Sequence, residues 1–312
     1  MKKLILKQAM MNKVLYALAP LTLMAIYLYG WRVLAVLAVT NGVGFLTEYM
    51  FIRKKKMGKV SMAVFVTGTL VGLIMPPAIP LWIAGVASLF GVAFGKMVFG
   101  GFGLNIFNPA IVGRAFVYVS FPQQMATTWS SIYSGFPGGL LHFKPAPILT
   151  TSATLLGEYN ASSTFNAPLW KTFTGLIPGS IGETSALLII LAGIYLLITK
   201  TAKWQAMAST LIGFIATSLI FFPPSELPYF LCGAGLMFGV VFMVTDPVSQ
   251  PKHPKALWIY GIMVGFLTVF IRRFSLFAEG FMFALLLANC FMPLIDYFFL
   301  QSDKKKKAMK VA

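Results

Sequence analysis

The sequence predicts an all-α polytopic membrane protein whose ten transmembrane helices form two inverted five-helix repeats. Three observations carry that expectation. Of the 312 residues, 58% are hydrophobic and only 11% charged, with a mean hydropathy of +0.82, beyond what a water-soluble domain carries. Ten apolar runs approach the roughly 20 residues that a hydrocarbon core of about 30 Å requires. The cations, 25 Lys and Arg against 8 Asp and Glu, gather in short clusters between those runs, as in the cytoplasmic loops of membrane proteins. A basic soluble chain would suggest a nucleic-acid partner; this pattern excludes one.

The runs cover 14–29, 33–52, 60–75, 81–99, 104–121, 184–199, 204–222, 229–245, 256–271 and 280–300. The first resembles a signal peptide with Ala17-Leu18-Ala19 as its cleavage box, but Pro20 follows the box and hydrophobicity continues to Tyr29, so it reads as a helix that stays. The fifth contains Asn105, Asn108, Pro109 and Arg114, which predicts a broken or half helix. With the N-terminus inside, 19 of the 25 cations fall on cytoplasmic segments and 5 outside, with Arg114 within a span. Both termini are therefore expected in the cytoplasm. Segment 122–183, rich in Ser, Thr, Gly and Pro, is expected outside. The organisation that follows is a first repeat over 1–121, an external loop over 122–183, a second repeat over 184–300 and a basic tail over 301–312.

The repeat itself shows at an offset of 176 residues, where Leu81-Trp82-Ile83-Ala84-Gly85 recurs as Leu257-Trp258-Ile259-Tyr260-Gly261. Each copy follows an apolar helix that ends in a proline-bearing turn, Met75-Pro76-Pro77 or Thr245-Asp246-Pro247. Each also precedes an Asn and a Pro, Asn108-Pro109 or Asn289 with Pro293. Five helices is an odd number, so the second copy crosses in the opposite sense, an arrangement that builds a site at the midplane.

Polar groups inside the runs are Glu48, Asn105, Asn108, Arg114, Asp246, Asn289 and Asp296. Such groups are costly in lipid and face a cavity or a partner. Glu48 and Asp296 lie near cytoplasmic helix ends, where snorkelling or pairing with Arg53 or Lys304 accounts for them. Asn105, Asn108, Arg114, Asp246 and Asn289 form the candidate midplane site for a flavin or an ion. Two Cys and two His, each isolated, exclude an iron–sulfur cluster, a bis-His haem or a zinc centre, so no metal site is expected. No strand and Gly-rich turn leads into a helix as a nucleotide fold demands; the glycines between Gly95 and Gly103 belong to a membrane turn. From the residues alone, a secondary transporter or channel for a small polar solute remains open beside a cofactor-bearing subunit. A bare scaffold is disfavoured by the buried polar set.

Four stretches carry a family resemblance: Phe107-Asn108-Pro109-Ala110 with Val112-Gly113-Arg114; Gly179-Ser180-Ile181-Gly182-Glu183-Thr184-Ser185; Thr245-Asp246-Pro247 with Pro251; and Asn289 through Pro293-Leu294-Ile295-Asp296. In this order they resemble the NqrB/RnfD family, membrane subunits of the sodium-pumping NADH:quinone reductase and of the Rnf ferredoxin:NAD complex. The short stretch before the first helix is similar to the Rnf D subunit. The resemblance implies an electron-transfer subunit that is not catalytic alone. It also implies partner subunits carrying iron–sulfur and flavin groups, movement of Na⁺ or H⁺, and FMN joined by a phosphodiester to a threonine of the outward loop by a flavin transferase. The Ser/Thr-x-Ala-Thr motif falls on Thr151-Ser152-Ala153-Thr154 and places FMN on Thr154, with Ile148 where an acid is common and Leu155 in place of the usual Pro. It further implies a second, noncovalent flavin such as riboflavin between the repeats. An organic cofactor would reconcile electron transfer with the missing metal ligands. The loop aromatics Phe121, Trp129, Tyr133, Phe136, Phe143, Tyr159, Phe165, Trp170 and Phe173 offer surface enough for its ring.

Overall fold

The computed structural model describes residues 4–55, 58–146, 154–162, 164–233, 235–275 and 280–311. Helices dominate. The first half holds α1 (Ala9–Tyr29), α2 (Arg32–Lys55), α3 (Ala63–Leu73), α4 (Leu81–Val92) and α5 (Pro109–Ser120), with a π-helical turn Ala93–Met97 continuing α4. Short helices α6 (Pro122–Thr127), α7 (Leu155–Ser162) and α8 (Leu169–Thr174) occupy the loop. The second half holds α9 (Ala186–Ile198), α10 (Trp204–Phe221), α11 (Leu227–Cys232), α12 (Leu236–Phe242), α13 (Pro254–Phe274) and α14 (Phe281–Val311). Ile5–Leu6 (β1) and Val60–Ser61 (β2) add a short parallel pair that ties the N-terminal segment to the entry of α3.

Each of the ten apolar runs contains helix, yet among the described residues only α1, α2, α10, α13 and α14 are long and apolar enough to cross a membrane singly. The α11–α12 pair, bent by 53° at its break, makes a sixth if counted as one span. The remaining four are shorter: at 1.5 Å per residue the 11 residues of α3 rise only about 17 Å. Sequence hydropathy measures apolarity and not helix length. Run 60–75 contains Ile74 and Met75, fully buried but non-helical, and run 104–121 becomes helical only at Pro109. The break in run 229–245 at Gly233–Gly235 went unanticipated.

Close helix packing explains where the glycines lie. A Cβ on Gly265 of α13 would stand 2.4 Å from the Phe214 nitrogen and the Thr210 oxygen of α10, so the two backbones touch, as small residues permit within a membrane. The Ser209 hydroxyl of α10 donates to Leu257 O of α13 at 3.3 Å. In the first half the Ser88 hydroxyl of α4 donates to Thr40 O of α2 at 2.6 Å. Those tight pairs join the second and fourth runs of each half.

Candidate functional site

Two chain breaks converge. Asn108 caps α5: its Oδ1 accepts from the Ala110 and Ile111 N–H groups at 3.0 and 3.5 Å, and Pro109 occupies the first helical position, where no N–H is needed. Asn105 donates to Phe107 O at 3.1 Å, holding the extended approach to that cap. Past the end of α12, Asp246 closes a turn, accepting from Val248 N at 3.3 Å and the Ser249 hydroxyl at 2.8 Å. Between these turns lies a narrow cavity of about 60 Å³ whose polar lining comprises Thr67, Lys96, Asn105, Asn108, Thr201, Thr245 and Asp246. Three of the five predicted midplane residues therefore share one space.

The other two do not line that cavity. Arg114 points from α5 to Glu183, with Nη1 and Oε1 3.2 Å apart. Asn289 of α14 is fully buried; its Oδ1 accepts from the Tyr260 hydroxyl at 2.9 Å, and its Nδ2 has no partner among the described residues. Glu48 also departs from expectation. It is 2% exposed and binds Lys96 at 2.6 Å rather than Arg53, while accepting from Ser61 N at 2.8 Å. Lys96 is the residue that charge counting missed. One of the 19 cations counted as cytoplasmic, it is 1% exposed on the π-helical turn and donates to both Glu48 and the Ser61 hydroxyl, each at 2.6 Å. Its position inside an otherwise apolar run was the available signal. Asp296 accepts from Lys252 N and His253 N at 3.1 and 2.8 Å, which fixes the entry to α13 in place of the expected pairing with Lys304.

The Gly179–Ser185 motif is a structural splice. Ile181 N and Gly182 N donate to Met75 O and Leu73 O at 3.0 and 2.7 Å, satisfying carbonyls that the end of α3 leaves open. A Cβ on Gly182 would stand 2.7 Å from that of Leu73, so only glycine admits this approach without a shift. The Tyr29 hydroxyl bridges Gly179 N and O, each at 3.0 Å. Ser185 caps α9 through Leu188 N at 3.4 Å. Glu183 reaches Arg114 on one side and abuts Gly235, whose φ of +70° suits glycine, on the other. The motif thus joins α3, α5, α9 and the α11–α12 break.

Above that break stands α7. Thr154 is its N-cap: the side-chain oxygen accepts from Gly157 N at 3.1 Å and the carbonyl from Glu158 N at 2.9 Å. Leu155 and Leu156 are buried, and the Leu155 side chain fills the space over Gly233, where a Cβ would stand 2.4 Å from Leu155 Cδ2. Leucine at this position is thus a packing residue. Tyr159 stacks on Phe165 and Phe165 on Tyr229, each with ring centroids 4.8 Å apart. Burial and the Glu226 carboxylate push the Tyr159 phenol up to about 12. Of the loop aromatics, Phe136, Phe143 and Trp170 are instead exposed and apart from this stack. Thr151, Ser152, Ala153 and Ile148 lie outside the described residues. Among the described residues, no group of three or more His, Cys, Asp or Glu could hold a metal.

The Thr154 side chain is partly exposed at the start of a helix, and Gly157 leaves open the space 3.1 Å from its hydroxyl that a Cβ would crowd. Phosphates are favoured at such helix starts, and the Tyr159–Phe165–Tyr229 stack one to two turns away offers planar apolar surface.

Residues 2–305 match the family described as NQR2, RnfD, RnfE. The chain is 39% identical over 288 residues to the B subunit of the Na(+)-translocating NADH-quinone reductase of Ectopseudomonas mendocina, covering 88% of this chain and 68% of that relative. The relative of the same name from Chromohalobacter salexigens is 37% identical, covering 89% and 68%, and that of Pseudomonas paraeruginosa 38%, covering 80% and 62%. The chain thus spans about two thirds of the length of these relatives. With the match running over nearly its whole length, the chain belongs to the NQR2, RnfD, RnfE family.

Proposed function

We propose that this chain is a membrane electron-transfer subunit of a redox-driven, Na⁺- or H⁺-translocating complex, and that Thr154 carries FMN through a phosphodiester. The observation that carries the reading is the position of Thr154: a capping threonine at the head of α7, half-exposed, beside a glycine and above the break between α11 and α12. Bound FMN supplies one- and two-electron redox chemistry that no side chain of this protein offers. Thr154 contributes the oxygen of attachment, the start of α7 favours the phosphate, and Leu155 and Leu156 fix the helix on the membrane part. A flavin transferase makes the link, and iron–sulfur and flavin subunits complete the complex.

In this reading the ten helical runs form two inverted five-helix repeats, with both termini in the cytoplasm and 122–183 outside the inner membrane. The corresponding contacts of α2 with α4 and α10 with α13 support the repeat, and the loop cations support the orientation. Asn105, Asn108 and Asp246, facing one cavity beside Lys96, are the candidates for ion handling. A second, noncovalent flavin such as riboflavin would lie between the repeats.

The test is a denaturing gel of the purified complex viewed under ultraviolet light before staining. A fluorescent band at this subunit, lost in Thr154→Ala with expression unchanged, is expected, as is the FMN adduct on Thr154 in peptide mass mapping. An unmodified Thr154 in an active complex overturns the assignment and favours the solute-transporter reading. Oxidation of reduced ferredoxin with NAD⁺, against oxidation of NADH with quinone, separates an Rnf-type complex from the type named for the relatives.

A further inference from the structure

The segment 135–144 carries side chains that neither the cofactor nor the ion reading uses. Phe136 is 92% exposed, Leu141 76% and Phe143 57%, a concentration of apolar surface that water disfavours and that marks an interaction site. Its backbone is nonetheless held firmly. Trp31 N and Arg32 N, at the turn between α1 and α2, donate to His142 O and Phe143 O, both at 3.0 Å. The Trp31 indole donates to Leu140 O at 2.7 Å, and the Tyr27 hydroxyl to Gly135 O at 2.9 Å. Gly138 lies flat on the Tyr27 ring, where a Cβ would stand 2.8 Å from Cε2.

Position along the helices says what covers these side chains. Tyr16, Pro20, Leu23 and Tyr27 share one face of α1, and the first three are exposed apolar positions of a membrane-spanning helix. Trp31, just before α2, and Leu34 and Ala38 on α2 repeat the pattern. The segment therefore sits at the ends of two outward-facing apolar stripes, at the depth where those helices leave the hydrocarbon. Tyr27 and Trp31 present rings to that boundary while their polar atoms bind backbone, the usual arrangement of aromatic belts.

We infer that 135–144 is an interfacial anchor, with Phe136 and Leu141 seated among the acyl chains and headgroups of the bilayer leaflet at the Gly30 end of α1. The anchor would hold the start of the loop that leads to Thr154 against the membrane.

The complete complex, reconstituted in liposomes with Cys232 and Cys290 replaced by Ser, tests this by spin labelling of Phe136→Cys or Leu141→Cys. Leu23→Cys serves as the lipid-facing control and Lys171→Cys, exposed on α8, as the aqueous one. Collisions with oxygen should exceed those with a water-soluble nickel chelate at 136 and 141, as at 23, with the order reversed at 171. Nickel collisions dominating at 136 and 141 overturn the inference by placing the segment in water. Exclusion of both reagents overturns it by placing a protein partner there. Phe136 makes little contact within the chain, so its replacement leaves folding intact.

Discussion

Lys96→Met isolates the buried charge pair next to the cavity. Among the described residues the substitution leaves the Glu48 carboxylate, 2% exposed, with only the Ser61 N–H as a hydrogen-bond donor. An orphaned buried charge costs about 3–5 kcal/mol. Glu48→Gln is the mirror image, leaving the Lys96 ammonium, 1% exposed, without its counter-charge. The double variant Lys96→Met with Glu48→Gln should be less destabilised than either single one, because it buries no unpaired charge. Loss of the monodisperse detergent-solubilised protein on heating reads all three. Additive penalties would refute the closed-pair reading.

Asp246→Asn and Asn108→Leu should each lower ion movement coupled to electron transfer while leaving membrane insertion intact, as measured by ion uptake into vesicles; full coupling in both would assign them to structure alone. Gly265→Ala should cost about 1–3 kcal/mol, because the new Cβ meets α10 backbone that cannot yield. Gly85→Ala, facing the Val39 side chain at 3.4 Å, should be neutral or gain up to about 1 kcal/mol of helix propensity, so equal melting shifts for the two would contradict the packing argument.

What the sequence made legible follows from what hydropathy measures. Transfer to lipid depends on side chains, so all ten apolar runs were visible, and so was the interruption at Asn108-Pro109, where a polar cap and a residue lacking an N–H signal a helix start. Helix ends fixed by distant partners were not visible. The end of α3 depends on donors from Ile181 and Gly182, more than 100 positions along the chain, and no local pattern around Leu73 announces them. The α11–α12 break depends likewise on Leu155 and Glu183 meeting Gly233 and Gly235.

The same contrast separates the candidate site residues. Asn105, Asn108 and Asp246 were found because each marks an irregular backbone, and irregular backbone inside a membrane must border a cavity or be satisfied by protein. Lys96 and Glu48 lie on helical or π-helical backbone in different runs, so only their pairing reveals that neither is a snorkelling charge. Arg114 shows the limit from the other side. A cation within a span suggests an anionic ligand, and the structure supplies an anion in Glu183, from the motif that also closes α3 and starts α9. Because that motif touches Gly235, two residues from the Gly233 on which Leu155 packs, the motif and the start of α7 meet at one chain break. A change at Glu183 should therefore disturb the seating of α7 as well as the Arg114 pair.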